Sequence, residues 1–196
     1  MDIETLRAYD RSARAFAEDW EDTQSAPTDL HALIRRFFAP GPTADIGCGS
    51  GRETAWLTGN GFPATGYDAS EGLLAEARRR HPEAAFQLSP LPDLADLAAA
   101  SFTNVLCETV IMHLKSEEQR VTVFRLVDIL EPAGTLYLSW RVTEGEDRRD
   151  DQGRLYAAVD AAQVRAALSG TKILFDEESE SASSGKKIHR IIARKL

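Results

Sequence analysis

The chain has 196 residues and a formal net charge of −8, with 23 Lys and Arg against 31 Asp and Glu. Hydrophobic residues at 43% and charged residues at 28% are ordinary folded-domain usage, which excludes a disordered or fibrous chain, and this length supports one core burying about 70% of the unfolded surface. The acidic balance opposes a phosphate backbone, and no apolar run approaches the ~18 residues of a spanning helix, so neither nucleic acid nor a membrane is an expected partner.

Residues 2–20 place Leu6, Tyr9, Ala13, Phe16 and Trp20 on one helical face, and residues 29–38 do the same with Leu30, Leu33, Ile34 and Phe37. Two helices therefore precede a first strand at 43–46. A helix over 52–58, closed by Gly59 or Gly61, leads to a strand over 63–68; Ser70 caps a helix over 71–80, and 84–88 is a third strand. A short helix over 92–99 and a fourth strand over 101–107 follow. Ser116-Glu117-Glu118-Gln119 reads as a capping box, opening a helix whose Val121, Phe124, Val127 and Leu130 face inward. Glu131-Pro132-Ala133-Gly134 stops it before a strand over 135–140. The polar stretch 143–154 is a loop or lid, 160–168 a helix, and 171–177 with 187–194 an antiparallel hairpin across a Ser-rich connection. There Asp176, Glu177, Glu178 and Glu180 face Lys186, Lys187, Arg190, Arg194 and Lys195, a solvated pattern whose exposed pairs contribute ~0–1 kcal/mol each. One domain over 1–196 is expected, with 1–40 as an N-terminal helical cap and 41–196 as an α/β core.

The densest chemical signal is 44–51, Ala-Asp-Ile-Gly-Cys-Gly-Ser-Gly. A strand that breaks into Gly47-x-Gly49-x-Gly51 makes a turn where backbone approaches a ligand and adopts φ > 0. Asp68 ends the following strand, where a carboxylate accepts from both hydroxyls of a ribose. The dinucleotide fingerprint G-x-G-x-x-G fails in either frame, because Arg52 and Thr54 stand at the third glycine position. A glycine-rich turn alone is often only a turn; Asp45 before it and Asp68 after it make it a cofactor site. The order of these parts resembles the class I S-adenosylmethionine-dependent methyltransferases, from about Tyr9 to the final strand, with the firm motifs between 44 and 140.

The resemblance implies an α/β fold: a Rossmann-like, doubly wound, mainly parallel seven-stranded sheet with an antiparallel C-terminal hairpin. Its ligand lies outside the carboxyl ends of the first and fourth strands. It implies S-adenosylmethionine as cofactor, with Gly47, Cys48, Gly49 and Gly51 along the methionine part and Asp45 orienting the loop. Asp68 takes the ribose, Ala69 lies along the adenine, Ser89, Pro90 and Leu91 close over the base, Tyr9 folds its hydroxyl over the cofactor, and Cys107 ends the fourth strand beside it. Pro90 stands where relatives commonly carry an acid that accepts from the adenine amino group, Asn104 where Asp is usual, and Ala133 where Gly is frequent. Only the first departure bears on the cofactor. Cys48 and Cys107, without clustered His, make neither a disulfide frame nor a zinc site. With no export signal at Met1-Asp2-Ile3-Glu4, they point to a bacterial type of cytoplasm and no metal.

Methyl transfer from a sulfonium asks for alignment more than side-chain chemistry, and a base is needed only where the acceptor carries a proton. His113 and Glu108 are the catalytic candidates, each with a plain alternative: a packing histidine before the Ser116 helix, and a loop carboxylate bonded to backbone. Tyr9 reads as a cofactor contact or as core packing. His113 and Arg141 are candidate acceptor contacts, Arg141 for a carboxylate, against a surface arginine. Cys107-Glu108-Thr109-Val110 is not the Asp/Asn-Pro-Pro-aromatic motif that grips a flipped base, no Pro-Cys pair occurs, and no carboxylate cluster holds magnesium. A small-molecule acceptor methylated at O, N or S remains. The alternative from another class is an S-adenosylmethionine-binding regulatory or partner module on the same fold, without catalysis. Monomer and homodimer both stay open.

Overall fold

The computed structural model describes residues 1–143 and 145–196. In chain order it contains α1 (Ile3–Glu18), α2 (Thr28–Phe37), β1 (Thr43–Ile46), α3 (Arg52–Gly59), β2 (Ala64–Asp68), α4 (Glu71–Arg80) and β3 (Ala85–Leu88). There follow β4 (Phe102–Cys107), α5 (Ser116–Asp128), β5 (Leu130–Arg141), β6 (Arg148–Arg149), β7 (Leu155–Tyr156), α6 (Ala161–Ala167), β8 (Thr171–Glu180) and β9 (Lys187–Lys195). Seven strands form one sheet in the order β3-β2-β1-β4-β5-β9-β8. The first five are parallel, and β9 lies antiparallel to both β5 and β8. The α/β Rossmann-like reading of the sequence holds, with β6 and β7 as a small separate hairpin.

The central strands are apolar on both faces because helices cover both, and period-two alternation divides their side chains. Val105, Cys107, Leu136, Leu138, Ile191 and Ala193 pack with Val123 and Leu126 of α5 and Val164 of α6. Leu106, Tyr137 and Ile192 point the other way, onto Leu30 and Ile34 of α2 and Leu57 of α3. α1 stands off the sheet: Ala13 and Phe16 pack on Leu73 of α4, and Asp10 accepts from the Ser70 hydroxyl (2.6 Å) and the Gly72 amide (3.1 Å). The strand order reverses between β1 and β4, which opens a crevice at their carboxyl ends.

Four local expectations are corrected. Residues 92–99 form turns, not a helix: Leu94 takes a left-handed φ of 44°, and the Arg125 guanidinium binds the carbonyls of Asp93 (2.9 Å) and Leu94 (2.9 Å) that a helix would have used internally. α5 begins at Ser116, the expected cap itself, so the N-cap is Lys115, whose amide donates to Glu118 at 3.1 Å. The helix also turns a different face inward. Thr122, Val123, Leu126 and Ile129 are buried, whereas Val121 (53%) and Phe124 (41%) are exposed. Two apolar stripes compete on that helix, and Leu130 decides between them: it already belongs to β5, opposite Phe102, so the helix ends at Asp128 and its phase follows Ile129. Burying a side chain such as Leu126 contributes about 1.5–3 kcal/mol, which fixes the choice. Finally, Arg190 is no solvated partner of the acidic strand. It is 2% exposed and bonds Asp29 of α2 and Tyr137 of β5 (3.0 Å).

Candidate active site

β1 delivers the glycine turn into the crevice, and neighbouring strands lock it there. The amides of Gly47 and Cys48 donate to the Tyr67 carbonyl at 2.7 and 3.1 Å. Gly47 and Gly49 have φ of +74° and +55°. A Cβ on Gly49 would sit 2.9 Å from the Trp20 ring, and one on Gly47 2.3 Å from Val110, so both conformation and space demand glycine. Asp68 closes the turn: one carboxylate oxygen accepts from the Gly49 amide (2.9 Å), the other from the Ser70 amide (2.9 Å). Burial pushes its pKa up, and these two amides oppose the shift. A carboxylate has about four acceptor sites, so two remain for ribose hydroxyls. Asp45 is buried beneath the turn and pushed up to about 7 by that burial, against a 2.6 Å hydrogen bond from Thr54.

The crevice holds a cavity of about 660 Å³. Gly47, Cys48, Gly49, Asp45, Asp68 and Ala69 form its floor. Ser89 and Leu91 line it at the exit of β3, and the Ser89 hydroxyl is buried with no partner among the described residues. Tyr9, Glu108, His113 and Arg141 complete the expected set on the wall. Three expected contacts lie off it. Gly51 backs onto the Phe86 ring, Pro90 is exposed to solvent, and Cys107 is sunk in the sheet core. Both thiols are unbonded, and burial pushes both pKa values up, so neither is a nucleophile. Asn104, at the position where Asp is usual, binds Ala39 through its amide (2.8 and 3.2 Å) and thus serves the fold. Ala133 takes a left-handed φ of 65° where glycine is frequent.

His113 has both ring nitrogens engaged. Nδ1–H donates to the Leu155 carbonyl (2.6 Å), which leaves Nε2 to accept from the Tyr9 hydroxyl (2.9 Å). Burial lowers its pKa to about 4, so the ring is neutral. Glu108 accepts from the Ser139 hydroxyl, and burial pushes its carboxyl up. The Arg141 side chain, the last of β5, lies 5.2 Å from the Tyr156 ring with no carboxylate partner among the described residues.

Sequence reading expected an N-terminal helical cap and a 143–154 lid but missed how the covering layer is closed. A single π-helical turn, Asp19–Thr23, follows α1 and lays Trp20 over Gly49. The 148–156 hairpin clamps α1 from the other side. Arg149 pairs with Asp2 (2.9 Å), holding its carboxyl well below the usual range, and the Leu155 amide donates to Thr5 (2.8 Å). Arg154 spreads over Phe16 (4.5 Å) and Tyr9 (5.5 Å) while paired with Asp150 at 2.7 Å. Within the expected 143–154 lid, residue 144 lies outside the described residues. The Tyr9-Phe16-Trp20 stripe and the polar 143–154 segment signalled this layer; the π-helical turn had no signal.

The cradle fits an adenosyl cofactor. Glycine backbone would be open to its amino-acid part, Asp68 would offer two acceptor sites to a ribose, and the Ser89 hydroxyl is a buried polar group without a partner among the described residues at the exit of β3. Residues 44–138 match the family model described as a methyltransferase domain. The chain is 34% identical over 131 residues to trans-aconitate 2-methyltransferase of Rhizobium meliloti, covering 64% of this chain and 48% of that protein. It is 31% identical over 147 residues to the Variovorax paradoxus protein of the same name, covering 72% and 53%. The chain thus spans about half the length of the curated relatives it matches. Among solved structures, the fold is shared with a 1,6-didemethyltoxoflavin N1-methyltransferase of Burkholderia thailandensis, bound to its substrate and S-adenosylhomocysteine. The TM-score is 0.71 at 21% identity, covering 97% of this chain and 85% of that one. It is also shared with a methyltransferase of Anabaena variabilis, TM-score 0.73 at 17% identity, covering 100% and 96%. Glycine turn, strand order and family match together make the chain a member of the class I S-adenosylmethionine-dependent methyltransferases.

Proposed function

We propose that this chain, working as a single domain under its N-terminal helical cover, transfers the methyl group of S-adenosylmethionine to a carboxylate oxygen of a small organic acid. trans-Aconitate, named in the curated relatives, is the acceptor to test first. The observation that carries this reading is a pairing of absences at one end of the cavity. Among the described residues Arg141 has no acidic partner, and the Nε2 lone pair of His113 is already occupied by Tyr9. A base with a pKa near 4 and no free lone pair cannot take a proton from a hydroxyl or an ammonium. A carboxylate acceptor has no proton to lose near neutral pH, and a guanidinium matches the two oxygens of another carboxylate on the same acid.

When bound, the cofactor supplies an electrophilic methyl group. The chain's own residues do the rest. Asp68 and the glycine turn fix the ribose and the amino-acid part, Asp45 supports the turn, and Ser89 binds the adenine edge. Trp20, Tyr9 and Phe16 exclude water above them, and Arg141 orients the acceptor; alignment and dehydration of this kind supply ~7–11 kcal/mol of barrier reduction. His113 and Tyr9 act as positioning residues that hold α1 closed. The bacterial source of the curated relatives and the two unbonded thiols support the cytoplasmic, bacterial setting expected from the sequence. The test is methyl-ester formation from labelled S-adenosylmethionine and trans-aconitate by the wild type and Arg141→Gln. The expected result is ester from the wild type with KM raised at least tenfold in Arg141→Gln; S-adenosylhomocysteine binding without ester from any organic acid would refute the carboxylate assignment.

A further inference from the structure

The cavity is divided by charge. Asp19, Asp45, Glu53 and Asp68 line it around the glycine turn, where the cofactor's own positive groups belong, and Glu108 at the end of β4 is bonded to Ser139, whereas Arg141 and Lys186 line it at the end of β5 and just before β9. The two other cationic side chains on the wall are already neutralised: Arg52 by Glu53 at 2.7 Å, and Arg154 by Asp150 at 2.7 Å. Arg141 and Lys186 have no carboxylate partner among the described residues.

Strand register brings these two together. Arg141 of β5 stands opposite Ile188 of β9, and the Val142 amide donates to the Lys187 carbonyl (3.0 Å), which carries the pairing one step past the strand end. Opposed residues of an antiparallel pair share a face, and the side chain two residues along returns to it. Arg141 and Ile188 therefore share a face, and Lys186, in the turn just before β9, joins them in the row that lines the cavity. The turn between β8 and β9 adds hydroxyls beside Lys186: Ser181, Ser183 and Ser184 also line the wall, with the Ser181 and Ser183 oxygens 3.1 Å apart.

We propose that this row is a polycarboxylate subsite: Arg141 and Lys186 each hold one non-reacting carboxylate of the acceptor, and the serine turn donates to the one at Lys186. A carboxylate paired with a cation has its lone pairs withdrawn from attack, so the cations select the groups that are kept and leave the third free for methylation. Acceptors with two carboxylates besides the reacting one are preferred over shorter acids. The subsite rests on the carboxylate-methylation reading above, but it is tested by binding alone.

The experiment titrates trans-aconitate, trans-glutaconate and crotonate, with three, two and one carboxylates, into S-adenosylhomocysteine-saturated wild type, Lys186→Gln and Lys186→Arg. In the wild type each lost carboxylate should weaken binding at least tenfold. Lys186→Gln should weaken trans-aconitate at least fivefold and leave crotonate within twofold, Lys186→Arg should restore the ladder, and S-adenosylhomocysteine affinity should stay within twofold throughout. A ladder absent from the wild type, or a Lys186→Gln effect equal for all three acids, overturns the subsite. Methyl transfer on the same samples separates the two ideas. The ladder without ester formation sinks carboxylate methylation and keeps the subsite, whereas ester formation indifferent to Lys186 does the reverse.

Discussion

The two halves of the cavity are built by different physics. The cofactor half comes from one continuous run, 45–69, whose groups are fixed by parallel-strand register and by backbone amides such as those of Gly49 and Ser70 on Asp68. The acceptor half is assembled from distant pieces: Tyr9 on His113, Asp2 on Arg149, Thr5 on Leu155, and Arg190 on Asp29. A half made of local backbone geometry is rigid before anything binds; a half made of side chains spanning more than a hundred residues closes only when the whole chain is folded. The second is therefore the half that pH and single substitutions open first.

The largest expected effect exposes that difference through pH. His113 titrates at about 4 in the folded chain against 6.5 unfolded, so the unfolded state binds more protons between these values. Its stabilising contribution is fully present above pH 6.5 and is lost as pH falls toward 4, on the order of 3 kcal/mol in all. Asp45, in the cofactor half, has the opposite sign: raised to about 7 from 3.8, it favours the ligand-free fold at low pH and loses that contribution as pH rises through 7. Urea midpoints from pH 7 to pH 4.5 in an Asp45→Asn background, compared with and without His113→Gln, isolate the histidine, because the raised Asp68 and Glu108 carboxyls are common to both. The expected result is a steep acid loss that His113→Gln removes; equal slopes in both proteins would show that His113 is not held neutral.

Next in size is Asp68→Ala, which strikes the local half. Losing a charged acceptor contributes ~1.5–3 kcal/mol, hence a ten- to hundredfold weaker affinity for S-adenosylhomocysteine by calorimetry, while unfolding stays cooperative. Because Asp68 also anchors Gly49 and Ser70, the urea midpoint should fall as well, and Asp68→Asn should recover part of each. Unchanged affinity with a lowered midpoint would leave Asp68 a turn residue only.

The same contrast explains what the sequence revealed. Strand β1, the glycine turn and Asp68 were legible because each needs a residue type that the backbone itself dictates: glycine at φ > 0, and an acceptor where two amides converge. Arg154, Trp20 and Lys186 were not, since their place in the cavity depends on how α1, the π-helical turn and the β8–β9 turn fold back onto the sheet, and no local periodicity encodes that. The inward face of α5 failed for a related reason. Val121 and Val123 are equally apolar, and only the pairing of Leu130 with Phe102 sets the helix phase. Tyr9 was read as a cofactor contact or as core packing; it packs on Phe16 at 5.0 Å and lines the cavity, with its hydroxyl bonded to His113.

Tyr9→Phe keeps that packing and removes one hydrogen bond, so it tests the latch alone. A neutral hydrogen bond contributes about 0.5–1.5 kcal/mol, and the freed Nε2 of His113 regains access to protons. Turnover should fall about threefold to tenfold, S-adenosylhomocysteine affinity should change less than turnover, and the His113 acid transition should move up in pH because the ring is easier to protonate. An acid transition identical to that of the wild type would mean that the Tyr9 hydroxyl does not reach the ring in solution.

The smallest effect is the most diagnostic, because it has two signs. The Ser89 hydroxyl is buried in the cavity wall without a partner, which costs the ligand-free fold the desolvation of that group. Ser89→Ala should therefore leave the urea midpoint of the free protein equal or slightly higher. If that hydroxyl serves the adenine edge that Pro90 cannot, the same change should weaken S-adenosylhomocysteine about twofold to tenfold, the worth of one neutral hydrogen bond. A variant that loses stability and keeps its affinity would make Ser89 a structural residue, and adenine would then be held by backbone and by Leu91 alone.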